Sequence, residues 1–352
     1  MLKDYFIEIT KNAIDSAIKQ NELGQAQECN IELVCDSPKN KEFGDFAINV
    51  SALARSAKMA PPLIAQAISK QIKPENFSVN TVAGFINFKI EKEFLNKIIV
   101  EILSKKENYF KQDIGKGEKV NIEYVSANPT GPFHIGHGRW AALGSALANI
   151  MKYCNYDVFQ EFYINDAGNQ INKLAKSLEI RVRQLQGENI EMEEGLYPGE
   201  YLIDCAKRYL EDNKGLSYGD FAKADMLRQQ KELLEKFGTH FDLFFSELTL
   251  YQDKEVDKCM ETLKKSGKIY EKDGAVWFKS SDYGDDQDRV LVKTDGKNTY
   301  LTADIAYHKN KLDRGFERLI NIWGADHHGY IPRMKAAIEA LGYDSSKLEV
   351  IL

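Results

Sequence analysis

Two imidazoles three residues apart, His134 and His137, stand at the end of the run ANPTGPFHIGH, Ala127 to His137. At that spacing two side chains on the first turn of a helix lie on one side. Both could donate hydrogen bonds to an oxygen gathering charge at a phosphorus centre. A helix N-terminus adds unpaired N–H groups and a partial positive charge, which suit phosphate. Gly136, between them, would let a nucleotide lie against the backbone. Phosphoryl and nucleotidyl transfer depends chiefly on such positioning and electrostatics. The competing reading is that the histidines merely cap a helix. A bare His-x-Gly-His does not decide between the two, because unrelated nucleotidyltransferases also carry it.

The surrounding elements place the pair where ligands bind. Val120–Val125 is β-rich, and a turn holding Pro129, Gly131 and Pro132 follows. Leu143, Leu147, Ile150, Met151 and Cys154 then fall at i, i+4, i+7, i+8 and i+11, predicting a helix, and Asp157–Ile164 is a second strand. Strand, helix and strand in so short a span predict a βαβ unit and a parallel sheet covered by helices. Residues 172–270 are mostly polar helix and are expected to be an insertion. Ala275–Lys279 and Arg289–Lys293 predict antiparallel strands around the acidic loop Asp282–Asp288. Thr299–Leu301 is expected to be extended, Asp304–Leu312 helical, Leu319–Trp323 a buried strand, Tyr330–Leu341 a helix and Leu348–Leu352 an apolar strand.

Ahead of this lies a segment of different rhythm. Phe6, Ile9, Ala13 and Ala17 predict one helix, and Phe46, Val50, Leu53 and Ala54 a second. Pro61 and Pro62 open a third, with Ile64, Ala67 and Ile68 on one face. Val82–Ile90 alternates as a strand with Gly84 as a bulge. Ile114–Lys119 (IGKGEK) is read as a linker. The expected domains are an α+β module over 1–113 and an α/β domain over 114–352.

Composition allows this and excludes little. The chain has 352 residues, 43% hydrophobic and 28% charged, an ordinary globular balance. No apolar run approaches the roughly 20 residues of a membrane span, and Lys3, Asp4, Glu8, Lys11 and Asp15 break any signal-peptide pattern. The cytoplasm is the expected compartment. The five cysteines (Cys29, Cys35, Cys154, Cys205, Cys259) form no Cys-x-x-Cys pair, so packing thiols and no structural metal are expected. A net charge of -6 argues against nonspecific nucleic-acid binding, yet local basic patches can still meet phosphate.

The eleven residues ANPTGPFHIGH, with Glu123 before them and Gly138-Arg139 after, resemble the signature of the class I arginyl-tRNA synthetases. Asp288–His308 (DRVLVKTDGKNTYLTADIAYH) is similar to a second signature of that family. Trp323–Tyr330 (WGADHHGY) resembles the nucleotide-contacting turn of class I synthetases, and Tyr163–Gln170 (YINDAGNQ) a segment after the second strand. FGDFAINVSALA and VAGFINFKI resemble the family's domain that binds the tRNA elbow. The resemblance implies a Rossmann-like catalytic domain with an insertion, preceded by a small α+β domain.

It further implies catalytic roles for His134 and His137 within the signature Ala127, Asn128, Pro129, Thr130, Gly131, Pro132, Phe133, His134, Ile135, Gly136 and His137. Contacts to ATP are implied for Gly136, Gly324, Asp326 and His327. Glu123, Asn128, Tyr300 and Asp304 would line the arginine pocket. Paired carboxylates suit a guanidinium, whose donors form a rigid plane, although Asp304 could equally be a helix N-cap. His328 would lie against adenosine or phosphate, and Asn165, Asp166 and Gln170 would shape the pocket floor or guide the tRNA 3′ end, with ordinary turn and cap chemistry as the competing reading. ATP with Mg2+, L-arginine and arginine tRNA are the implied cofactor, substrate and partner, with no membrane and a monomeric chain. The alternatives are another nucleotidyltransferase, or a noncatalytic RNA-binding fragment. The family's lysine-bearing loop (KMSKS-like) and helical anticodon-binding domain have no counterpart in these residues. The chain alone is therefore expected to be weakly active or inactive.

Overall fold

Helix α1 (Leu2–Lys19) buries Phe6, Thr10, Ala13, Ile14 and Ala17, a spacing of four, three, one and three that forms a single stripe. The computed structural model describes residues 2–26, 28 and 31–352. It divides into two units, Met1–Phe110 and Lys111–Leu352. In the first, α1 packs on an antiparallel sheet of order β1-β2-β4-β3, made of β1 (Cys35–Asp36), β2 (Phe46–Asn49), β3 (Phe77–Val82) and β4 (Phe85–Ile90). Phe6 stacks on Phe88 with ring centroids 4.5 Å apart. Two short helices, α2 (Ala54–Ala57) and α3 (Pro61–Gln71), complete the core, and α4 (Lys92–Lys105) ends the unit.

Two expectations fail here for identifiable reasons. The helix read through Phe46 and Val50 is strand β2, because its residues pair with β4 in the register Phe46↔Phe88 and Ile48↔Ile86. Helical structure begins only after β2, as a 3-10 turn over Ser51–Leu53 that runs into α2. The single strand read over Val82–Ile90 is one arm of a hairpin. Ala83 and Gly84 have φ of 47° and 88°, positive at both central positions as a two-residue type I′ turn requires. Gly84 is thus a turn residue, and a Cβ there would stand 2.4 Å from Ser51 Oγ.

The second unit is built on a five-stranded parallel sheet of order β12-β11-β5-β6-β7. Its strands are β5 (Lys119–Glu123), β6 (Asp157–Ile164), β7 (Leu243–Ser246), β11 (Arg318–Ile322) and β12 (Leu348–Ile351). Helix α5 (Ile135–Tyr153) joins β5 to β6. Helices α6 (Asn169–Leu185), α7 (Tyr201–Glu211) and α8 (Tyr218–Lys236) precede β7 and pack around a core of their own that includes Leu174, Leu178, Leu202, Phe221 and Met226. After β7 come α9 (Glu247–Gln252), α10 (Glu255–Lys265) and a small antiparallel sheet of β8 (Ile269–Lys272), β9 (Ala275–Phe278) and β10 (Arg289–Val292). Helix α11 (Tyr300–Asp313) leads to β11, and α12 (Ile331–Ala340) to β12. The chain runs from β5 outward through β6 to β7, then returns to lay β11 on the other side of β5. The strand order therefore reverses between β5 and β11, where open α/β sheets bind ligands beyond their carboxyl ends.

The structure corrects four further readings in this unit. Residues 172–270 are not wholly an insertion, since Leu243–Ser246 pairs with β6 as an edge strand of the main sheet. Ile114–Lys119 is not a free linker: Gly115 N donates to Cys154 O and Gly117 N to Asn155 O, pinning the loop to the end of α5. The buried stripe of α5 is Ala141, Gly144, Ala148 and Met151, while Leu143 and Ile150 are exposed. The buried Tyr124 ring lies beneath that stripe, so a Cβ at Gly144 would meet it at 2.3 Å. Thr299 caps α11, so Tyr300 and Leu301 begin a helix instead of extending a strand.

Cys35, Cys154, Cys205 and Cys259 are free thiols, three of them buried; Cys29 lies outside the described residues. Among the described residues no helix is long and apolar enough to cross a membrane.

Candidate active site

Strand β5 delivers Glu123 to the carboxyl edge of the sheet, and two left-handed residues then redirect the chain. Val125 and Ser126 have φ of 69° and 40°, a conformation that costs energy for any residue with a side chain and most for a β-branched one. The bend lets Ser126 Oγ donate to Glu123 Oε1 (3.0 Å) and accept from Tyr163 N on β6 (3.1 Å). The signature turn then enters α5 through reciprocal capping. His134 Nδ1 accepts from Gly136 N and His137 Nδ1 accepts from His134 N, each at 3.1 Å. The capping reading is thus correct, and it does not compete with the chemical one. With both Nδ1 atoms accepting, each neutral ring carries its proton on Nε2 and can donate from there. The ring centroids are 3.8 Å apart. Burial and the neighbouring His134 push His137 down to about 4, so it is neutral at physiological pH. Gly136 makes room for the cap, since a Cβ would stand 2.9 Å from His134 Cε1.

A cleft of about 600 Å³ opens between β5 and β11. Of the expected site residues, Glu123, Ala127, Asn128, His137, Tyr300, Asp304, Gly324 and His327 line it. His134, Gly136 and Asp326 lie outside that lining, His134 and Asp326 as exposed side chains. Pro129, Thr130, Gly131, Pro132, Phe133 and Ile135 shape the turn, Ile135 being 92% exposed. Asn165 and Gln170 reach the cleft, each with an unpartnered buried side-chain oxygen. His328 and Asp166 do not. Asp166 is buried behind the wall, where it accepts from Ser246 Oγ (2.8 Å) and Leu248 N (3.2 Å). Beyond β11, His327 Nδ1 pairs with Asp326 Oδ1 (3.1 Å), and a Cβ at Gly324 would stand 3.3 Å from the Trp140 ring.

The pocket's charges come in two kinds. Glu123 is already matched: Lys311, fully buried on α11, donates to its Oε2 at 2.5 Å. Asp304, one turn into α11 from Tyr300, accepts from Tyr330 Oη (2.5 Å) and has no cation beside it within salt-bridge distance. Burial pushes its carboxyl up to about 6 despite that hydrogen bond. Asp304 is therefore not the cap of its helix, a role Thr299 fills. Glu247, at the start of α9, is missing from the sequence-based set. Burial, with Asp304 and Asp166 nearby, pushes it up to about 7. The Tyr163 hydroxyl beside it has no partner of good hydrogen-bond geometry. Acids drawn away from water and in no ion pair among the described residues are a costly arrangement. They become favourable when a cation with several N–H donors enters.

The family comparison bears on what that cation is. Residues 98–351 match the model of the class I tRNA synthetase (R) catalytic domain, and residues 8–90 match the arginyl tRNA synthetase N-terminal domain. The chain belongs to the class I arginyl-tRNA synthetases. Within that family it is 46% identical to the arginine–tRNA ligase of Bacillus subtilis over 97% of its own length. It is 45% identical to that of Anoxybacillus flavithermus over 98%. It spans 64% and 65% of those two relatives. A solved structure from Campylobacter jejuni, assigned as an arginyl tRNA synthetase, superposes with a TM-score of 0.70 at 44% identity. That match covers 75% of this chain and 60% of the other. The arginyl-tRNA synthetase of Thermus thermophilus shares the fold, with a TM-score of 0.56 at 20% identity over 100% of this chain and 65% of that one.

Among the described residues no three His, Cys, Asp or Glu side chains are grouped as metal ligands. Glu247, which lines the cleft, and Lys311, which pairs with Glu123, are candidate site residues that sequence reasoning missed. A faint signal existed for Glu247: the apolar triplet Leu243–Phe245 is a short buried-strand pattern, and Glu247 follows it at a strand end.

Proposed function

We propose that this chain is the catalytic portion of an arginine–tRNA ligase, and that the cleft between β5 and β11 activates L-arginine with Mg-ATP. The observation that carries the substrate is the pair Asp304 and Glu247, a half-buried and a buried carboxyl in one pocket, neither of them in an ion pair among the described residues. A guanidinium supplies donors in a rigid plane to acids so arranged. Glu123, paired with Lys311, and Asn128 stand on the other wall, where the α-ammonium of the same amino acid would lie. Tyr300 closes the mouth.

In the first half-reaction the arginine carboxylate attacks the α-phosphorus of ATP. A carboxyl–phosphorus bond forms as the bond to the bridging β-phosphate oxygen breaks, giving arginyl-adenylate and pyrophosphate. The carboxylate is already an anion, so no general base is required. The Nε2–H groups of His134 and His137 stabilise charge on the phosphoryl oxygens as the transition state forms. Gly324, Asp326 and His327 beyond β11 sit where the ribose and base would lie, and Asp326 can accept from a ribose hydroxyl. In the second half-reaction a hydroxyl of the tRNA terminal ribose attacks the adenylate carbonyl, and AMP leaves. The N-terminal unit would take the tRNA elbow. A monomer working in the cytoplasm fits this reading.

The assay is ATP–pyrophosphate exchange with L-arginine and arginine tRNA, beside calorimetric binding of L-arginine. The binding measurement decides the substrate. Exchange or binding driven by another amino acid and not by arginine would sink the proposal.

A further inference from the structure

The signature turn Asn128–Gly131 has no strand or helix of its own, yet three of its four carbonyls are held by the inserted helices. Gln230 on α8, 3% exposed, donates through Nε2 to Asn128 O (3.1 Å) and to Gly131 O (3.0 Å). Tyr201 at the start of α7 donates to Thr130 O at 2.6 Å, and its ring covers Gly131, where a Cβ would stand 3.3 Å from it. The same helix α8 reaches the opposite wall. Lys223, seven residues before Gln230 and so on the same face, pairs with Asp166 at 3.4 Å. Asp166 in turn grips Ser246 and the Leu248 N–H on either side of Glu247. One helix thus touches the wall that carries Asn128 and the wall that carries Glu247. The inserted helices have a core of their own, while Leu234 of the same α8 is buried in the core of the main sheet.

We infer that α8 is a strut setting the width of the amino-acid pocket, with Gln230 as the positioning residue for the signature turn. This rests on the reading of the cleft as an arginine site. A displacement of the inserted helices would move Asn128 and Glu247 together, although no residue of α8 lines the cleft. Gln230 is not a catalytic residue, because it touches the site only through the backbone of the turn.

The test compares the wild-type full chain with Gln230→Met, which keeps length and removes both donors, and with Tyr201→Phe. Two readouts are taken: amide hydrogen exchange resolved by peptide, and L-arginine affinity by calorimetry. Loss of two hydrogen bonds should accelerate exchange of peptides covering residues 126–137 by about tenfold and weaken arginine by about tenfold. Exchange in β5, β6 and β11 should stay at the wild-type rate. Should Gln230→Met fail to fold, Tyr201→Phe must still accelerate the same peptides. Unchanged exchange over 126–137, or acceleration spread evenly through the unit, would overturn the strut. If the wild-type chain binds no arginine, the substrate reading fails, while the exchange pattern still decides the strut.

Discussion

Moving an arginine-binding titration from about pH 8 to about pH 6 leaves the guanidinium charged and protonates the two acids proposed to receive it. Glu247 sits near 7 and Asp304 near 6 in the empty pocket. Glu247 is faced by Tyr163 from β6, by Asp304 from α11 and by Asp166 beyond β6. A bound guanidinium draws both acids to their ionised forms, so binding must release whatever protons they hold. At pH 7 that is about 0.5 proton from Glu247 and about 0.1 from Asp304. The sign follows: both carboxyls are held above their usual range, so arginine binds best above pH 7 and weakens as pH falls. Between about pH 8 and pH 6 the loss is roughly tenfold from Glu247 and twofold from Asp304, about twentyfold together. Calorimetry in two buffers of different ionisation enthalpy reads the released protons directly. Affinity flat across this range, with no proton released, would refute the assignment of these acids to the guanidinium.

Two further outcomes concern what holds the pocket. Lys311→Met leaves Glu123 buried beside Ser126 with no cation, and should destabilise the chain by about 3–5 kcal/mol in urea denaturation. The double change Glu123→Gln with Lys311→Met should recover most of that, and equal losses in both would contradict the buried-pair account. Gly144→Ala places a methyl 2.3 Å from the Tyr124 ring, and should cost about 1–3 kcal/mol by the same measurement. An unchanged melting temperature would mean that α5 can shift away from Tyr124 freely.

The features legible in the sequence were those whose chemistry is local. The turn before α5 carries its own prolines and glycine, and the two histidines cap the helix they begin, so both element and reactive groups could be read from eleven residues. Strand β6 and helix α3 were legible for the same reason, one as an unbroken β-rich run and the other from its opening prolines. Glu247 was hidden because only the pairing of β7 with β6, in the register Phe162↔Phe244 and Ile164↔Ser246, carries it out of a polar stretch and into the cleft. Lys311 reads as an ordinary helix-surface lysine until β5 and α11, 188 positions apart, come together. Separation in sequence also hid Gln230, whose bond to Asn128 spans 102 positions.

The claim that this pocket selects a guanidinium is tested most directly by comparing L-arginine with L-citrulline, which has nearly the same shape and no charge. Calorimetric titration of the chain near pH 8 should give binding of arginine and a loss of at least about a hundredfold for citrulline. That ratio is expected because a neutral urea presents two fewer N–H donors, puts a carbonyl oxygen in their place and leaves Asp304 and Glu247 without a counter-charge. Equal affinities for the two would contradict the account.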